Sequence, residues 1–129
     1  MSGKYLLDTN IVIALFKNDP QVTMRLSTAT EVFVPLAVLG ELYYGAERSA
    51  QRDQNVSRVD QFALDSAVLT CDLETARTYG AIKDSLRKRG TPLPENDVWI
   101  AASALRFGLT VVTRDAHFAE ISGLLWEKW

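Results

Sequence analysis

Tyr5-Leu6-Leu7-Asp8-Thr9-Asn10-Ile11-Val12-Ile13-Ala14-Leu15-Phe16 is the stretch on which the reading of the fold turns. Its opening apolar run is too short for a helix and stops at an acid, so Tyr5 to Asp8 reads as a buried strand. From Ile11 onward, Ile11, Val12, Ala14, Leu15 and Phe16 carry an apolar helical face until Asn18-Asp19-Pro20 breaks it. A strand that passes almost at once into a helix opens a β-α unit, and the rest of the chain repeats the alternation. A helix from about Gln21 to Ala29 leads to a strand at Val32-Phe33-Val34 closed by Pro35. Helices from about Leu36 to Arg48 and Gln51 to Asp65 precede the strand Ala67-Val68-Leu69-Thr70. Helices near Leu73 to Arg89 and Asn96 to Phe107 follow, with Gly90 and Gly108 as stops. The strand Leu109 to Thr113, a short helix after Asp115 and a strand near Leu124 to Trp126 complete the pattern. Strands separated by helical crossovers predict a parallel sheet covered on both faces: an α/β fold, a three-layer α/β/α sandwich with five parallel strands.

At 129 residues with 47% apolar side chains, the chain is of a size to bury one core without disulfides or structural zinc, so residues 1–129 are read as a single domain. Cys71 is the only cysteine, which excludes an internal disulfide framework and a Cys-rich metal site and fits a reducing compartment. No stretch approaches the roughly 20 apolar residues of a membrane span. Met1-Ser2-Gly3-Lys4 runs into the first strand without signal-peptide anatomy. The expectation is a cytoplasmic protein with no membrane partner. A net charge of -2 argues against bulk electrostatic capture of nucleic acid, although cations bound among the acids would reverse the sign locally. The dense basic run Arg87-Lys88-Arg89 closes a helix, where it reads as complementing the helix C-terminus, with phosphate contact as the alternative.

Four carboxylates stand at structural punctuation points: Asp8 after the first strand, Glu41 within a helix, Asp97 opening another, and Asp115 after Thr110-Val111-Val112-Thr113. In a doubly wound parallel sheet, ligands bind beyond the carboxyl ends of the strands where strand order reverses. An order of 3-2-1-4-5 makes the strands before Asp8 and Asp115 neighbours across that switch. Carboxylates crowded to about 5 Å repel by roughly 3 kcal/mol per pair at an effective dielectric of about 20, and a divalent cation among them is the simplest relief. Singly, each acid has a plainer reading. Asp8, Asp97 and Asp115 can serve helix N-termini, with Thr9 and Asn10 as alternative caps beside Asp8. Glu41 lies away from the expected core stripe Leu36, Leu39, Leu42, Tyr43 and Ala46, which makes it a candidate for plain solvation. Gly40 and Gly45 flank it and suggest close packing, while Ala101, Ala102 and Ala104 allow their helix to press Asp97 toward the strand ends. His117, the only histidine, reads as structural, and one histidine rules out a two-imidazole ribonuclease mechanism.

Taken together, Leu6-Leu7-Asp8-Thr9-Asn10, Gly40-Glu41-Leu42 with Gly45, Asn96-Asp97 with Ile100-Ala101-Ala102, and Val112-Thr113-Arg114-Asp115-Ala116-His117-Phe118 resemble the PIN domain, most closely the VapC-type toxins of prokaryotic toxin-antitoxin pairs. The resemblance implies a Mg²⁺- or Mn²⁺-dependent endoribonuclease that pairs as a homodimer and is held inactive by a cognate antitoxin. It implies Asp8, Glu41, Asp97 and Asp115 as the catalytic metal-site acids, Thr113 as a polar neighbour, and Asn10 as a residue orienting the first turn. Oxygen ligands suit such hard cations, and attack by water implies 5′-phosphate and 3′-hydroxyl products. Arg114, Lys17 and Arg48 are candidate RNA contacts; Glu95 has no assigned role. Tyr44, off the core stripe, points to an antitoxin segment in a groove between the early helices. Tyr79, Ile82 and Leu86, with Trp99 nearby, are the candidate dimer patch. Two rivals stand beside this reading: a PIN fold kept only for binding, and a phosphoacceptor receiver domain with Asp72 as acceptor. The receiver lacks its acidic pair and has only Lys128, almost at the end, for its lysine.

Overall fold

In the computed structural model, which describes residues 3–129, a five-stranded sheet is built from β1 (Lys4–Leu7), β2 (Glu31–Pro35), β3 (Ala67–Leu69), β4 (Thr110–Val112) and β5 (Trp126–Glu127). Met1 and Ser2, part of the N-terminal stretch read above as leaderless, lie outside the described residues. The order is β3-β2-β1-β4-β5, and each neighbouring pair is parallel. Strand order therefore reverses beside β1, and Leu7 is in register with Val112 of β4. Side chains alternate between the faces of a strand, yet Leu6 and Leu7 are both buried, as are Val111 and Val112. Both faces of the central strands are covered, giving the α/β/α sandwich.

The covering helices are α1 (Thr9–Phe16), α2 (Pro20–Thr28), α3 (Leu36–Glu47), α4 (Arg52–Leu64), α5 (Leu73–Arg89) and α6 (Glu95–Phe107), and a 3-10 turn spans Ala116–Glu120. Their ends follow from local chemistry. The Asp19 carboxylate accepts from the Gln21 and Val22 amides, and Pro20, which has no amide hydrogen to lose, starts α2. Asp72 and Thr75 form a reciprocal capping box at the start of α5. Gly90 and Gly108 end α5 and α6 at φ of 70° and 68°, a conformation that costs glycine little. Arg87 and Lys88 pair with Asp84 and Arg89 with Glu120, so the basic run is spent on its own surroundings. Among the described residues no helix is long and apolar enough to cross a membrane.

Several expectations need correction. α3 presents Val38, Leu39, Leu42 and Ala46 to the core, whereas Leu36 is 56% exposed. Leu36 is the first helical residue after Pro35, and that opening turn projects beyond what it packs on. Close packing does not account for Gly40 and Gly45, since a Cβ at either would meet nothing within 4 Å. Ile82 and Leu86 of the supposed dimer patch are buried in the core, and Tyr79 stacks on Trp99 with ring centroids 4.0 Å apart. That stripe is the contact between α5 and α6. β5 starts two residues and ends one residue later than its apolar run suggested, because Trp126 and Glu127 are the residues in register with Val111 and Val112.

Candidate active site

Asp8 follows β1 directly. Its backbone amide continues the sheet by donating to the Val112 carbonyl at 2.9 Å, and its side chain turns into the cleft at the carboxyl edge. The carboxylate is 5% exposed and tightly held: the Thr9 amide donates to Oδ1 at 2.8 Å and the Thr113 hydroxyl donates to Oδ2 at 2.7 Å. Asp8 therefore caps α1 itself, in place of the Thr9 or Asn10 alternatives, and serves the cleft with the same side chain. Thr113, fully buried just past β4, accepts from the Asp115 amide at 3.0 Å. Asn10 extends this network, its amide group 3.5 Å from both Asp8 Oδ2 and Thr113 Oγ1 and its carbonyl accepting from the Arg114 amide at 3.2 Å.

The other acids reach the cleft from separate elements. A helix that feeds a parallel strand runs against it, so the start of α6 lies where β4 ends, and this delivers Asp97 to the same edge. Ala101, Ala102 and Ala104 are buried beneath it, as their small size allows. Glu41 projects from α3 toward the same opening, half-buried rather than solvated, and accepts from the Asn96 side chain at 3.1 Å. Asp115, about half exposed, hangs from the turn after β4. Asp8, Glu41, Asp97 and Asp115 all line one open cleft of about 600 Å³.

The acids feel one another. Burial pushes the Asp8 carboxyl above the usual range, helped by Glu41 and Asp115 and opposed by the hydrogen bonds from Thr113 and Thr9. Asp97 is raised as well, first by burial and then by Asp8, against the pull of His117. His117, read from the sequence as structural, stands between two acids: Nε2 is 2.6 Å from Asp97 Oδ2 and Nδ1 is 3.0 Å from Asp115 Oδ1. One ligand atom from each of Asp97, Asp115 and His117 can be chosen so that all lie within 4.8 Å. The only sequence signal for this was the spacing of two residues from Asp115 within a tight turn. Asn96, beside Asp97 at the start of α6, orients Glu41.

The remaining residues sort differently. Glu95 also lines the cleft, but its carboxylate is paired with Lys83 of α5 at 2.8 Å. Arg114 is committed to Asp19 and to the Trp129 carbonyl. Lys17 is exposed at the end of α1, and Arg48 is exposed and lies over the Tyr44 ring. Asp72, the acceptor of the receiver reading, is occupied in capping α5 and in pairing with Arg106 at 3.0 Å, which holds its carboxyl down to about 2. Beside the cleft an apolar groove of about 300 Å³ runs between α1, α3 and α4, lined by Ile13, Phe16, Leu42, Ala46 and Val59 among others. Thr9, Ile13 and Glu41 line both hollows.

The sequence profile of the PIN domain matches residues 5–124. The chain belongs to the PIN-domain family. This PIN domain is 36% identical over 129 residues to ribonuclease VapC2 of Haemophilus influenzae, with 98% of each chain covered. It matches tRNA(fMet)-specific endonuclease VapC of Salmonella typhimurium at the same identity and coverage. Among solved structures, DNA-bound VapBC from Salmonella typhimurium superposes with a TM-score of 0.92 at 32% identity, covering 100% of this chain and 99% of that one. The receiver reading is thereby set aside.

Proposed function

We propose that this PIN domain is a cytoplasmic endoribonuclease, working as a single domain with Mg²⁺ or Mn²⁺, and the toxin half of a toxin-antitoxin pair. The observation that carries the reading is the convergence of Asp8, Glu41, Asp97 and Asp115 from four separate elements on one cleft. Among the described residues lining that cleft there is no lysine or arginine to balance them. The donor set fits a hard divalent cation: carboxylate oxygens, together with the Thr9 hydroxyl, which is buried in the same wall without a partner among the described residues. Bound there, such a cation supplies charge neutralisation at a phosphodiester and activation of a water toward phosphorus.

The chain's own residues prepare the site. Thr113 and the Thr9 amide fix the direction of the Asp8 carboxylate, and Asn96 fixes Glu41. His117 bridges Asp97 and Asp115 and so holds the two acids together. Substrate phosphates are drawn from outside the cleft by Lys17 and Arg48 on the exposed surface. The apolar groove between α1, α3 and α4 suits an antitoxin segment that orders as it binds. A segment seated there touches Glu41 and Thr9, so its presence is felt in the cleft.

Cleavage of RNA with Mg²⁺ or Mn²⁺, with excess EDTA, and by Asp8→Asn tests the reading. Turnover is expected with either metal, to stop on chelation and to be lost in the variant. Undiminished turnover in EDTA would remove the metal mechanism.

A further inference from the structure

Arg114 sits between Thr113, the buried residue that hydrogen-bonds Asp8, and Asp115, which lines the cleft, and is held at three points. Its backbone amide donates to Asn10 Oδ1 at 3.2 Å, Nε donates to the Trp129 carbonyl at 2.9 Å, and one terminal nitrogen donates to Asp19 Oδ2 at 2.8 Å. Both side-chain anchors are themselves rigid. The other oxygen of Asp19 accepts from the Gln21 and Val22 amides at the head of α2. Trp129 is 3% exposed, with Tyr5 edge-on to its ring at 5.1 Å and Arg25 stacked over it. Two N–H groups of this planar guanidinium are taken by fixed acceptors, which holds the side chain in one orientation, and it does not line the cleft. What it can do is fix the turn it belongs to. That turn supplies the hydroxyl that orients Asp8, and it carries Asp115.

We propose that Arg114 is a positioning residue, not an RNA contact: it ties the Thr113–Asp115 turn to the corner before α2 and to the segment after β5, and so sets the spacing of Asp8 and Asp115 for a divalent cation. The inference rests on the reading of the cleft as a cation site. It adds Asp19 and Arg114 to the residues that govern cation affinity, acting through hydrogen bonds behind the acids, where such supports are typically worth 10- to 100-fold.

The test is Mn²⁺ binding followed by electron paramagnetic resonance in the absence of RNA, for wild type, Arg114→Gln, Arg114→Lys, Asp19→Asn and the Asp19→Asn/Arg114→Gln pair. Asp19→Asn keeps an oxygen for the α2 amides and turns an amino group toward the guanidinium. If Arg114→Gln does not fold, this variant decides. Each of Arg114→Gln and Asp19→Asn is expected to raise the Mn²⁺ Kd about tenfold. The pair should be no worse than Arg114→Gln within about twofold, because Arg114→Gln already removes the contact to Asp19. Arg114→Lys, which keeps a single point charge, should recover part of the loss. Binding of bulk tRNA in EDTA should show the same dependence on salt in Arg114→Gln as in wild type, whereas loss of a phosphate contact would lower that slope by about 0.7 to 0.9. A wild type that binds no Mn²⁺ would overturn the cation reading and this inference with it. A wild type that binds, with an unchanged Kd in the variants, would overturn the inference alone. A reduced salt slope with unchanged Mn²⁺ affinity would return Arg114 to RNA contact.

Discussion

Thr113→Val should separate the shape of the cleft from its hydrogen bonding. Valine preserves the β-branched outline at a position with no exposure but deletes the hydroxyl that donates to Asp8 at 2.7 Å and accepts from the Asp115 amide at 3.0 Å. Loss of a hydrogen bond to a charged group costs about 1.5 to 3 kcal/mol, and an amide left without a partner costs about 1 to 3 when it is buried. Asp115 is half exposed, so water recovers much of the second contribution. The net destabilisation of the metal-free protein at neutral pH should be about 2 to 4 kcal/mol. With an unfolding entropy near 2.1 cal/mol/K per residue, a chain of this length loses roughly 4 °C of Tm per kcal/mol, so the expected drop is roughly 8 to 15 °C. The Thr113 hydroxyl pulls the Asp8 carboxyl down, against its burial. It favours the charged form, and the deficit of the valine variant should therefore shrink as pH falls through the raised Asp8 pKa. Urea denaturation at neutral and acid pH, with Thr113→Ser as a control that keeps the hydroxyl, measures this. A valine variant within about 0.5 kcal/mol of wild type, or a serine variant as damaged as the valine one, would refute the reasoning.

Asp72→Asn should weaken the protein at neutral pH, because the native carboxyl is held down to about 2 by Arg106 and by its place at the head of α5. A depressed native pKa adds stability above the ordinary carboxylate range that is lost as pH falls through about 2. Urea midpoints of variant and wild type should therefore converge toward that pH. Glu41→Gln keeps the oxygen that accepts from Asn96 and removes a charge that repels Asp8. Metal-free Tm should be unchanged or higher while RNA cleavage falls at least about tenfold, the range of single electrostatic groups in active sites; wild-type turnover would strike Glu41 from the site. Ala46→Arg, placed at the buried wall of the apolar groove, should abolish co-purification with the cognate antitoxin, and retained binding would move the partner elsewhere.

The fold was legible because each of the first four strands holds a short apolar run cut off by an acid, a proline or a polar turn, and because parallel strands with helical crossovers have few arrangements open to them. Asp8 and Asp115 were legible for the same reason, as the residues where adjacent strands stop. Glu41 was legible through the resemblance and not through its helical bearing: that bearing is measured from the sheet, but what the side chain meets is Asn96 at the head of α6, a neighbour fixed only by tertiary packing. His117 escaped because a 3-10 turn has no periodicity long enough to read. Leu36 and the Tyr79, Ile82 and Leu86 stripe show a common error, since helical periodicity identifies an apolar face without saying whether sheet, sister helix or solvent receives it. Arg114 shows the converse: a cation beside an acidic cleft invites a ligand, and two rigid acceptors behind it take the side chain first.

Thr9, Ile13 and Glu41 form a party wall between the acidic cleft and the apolar groove. A mutation in that wall that frees the enzyme from whatever occupies the groove also disturbs the cleft, so escape from restraint and loss of the enzyme's own chemistry tend to arrive in the same substitution. Selection for an unrestrained form therefore has little room on this side of the molecule. The changes open to it are on the far bank of the groove, at Asn55 and Arg58, where the partner can be lost without touching an acid.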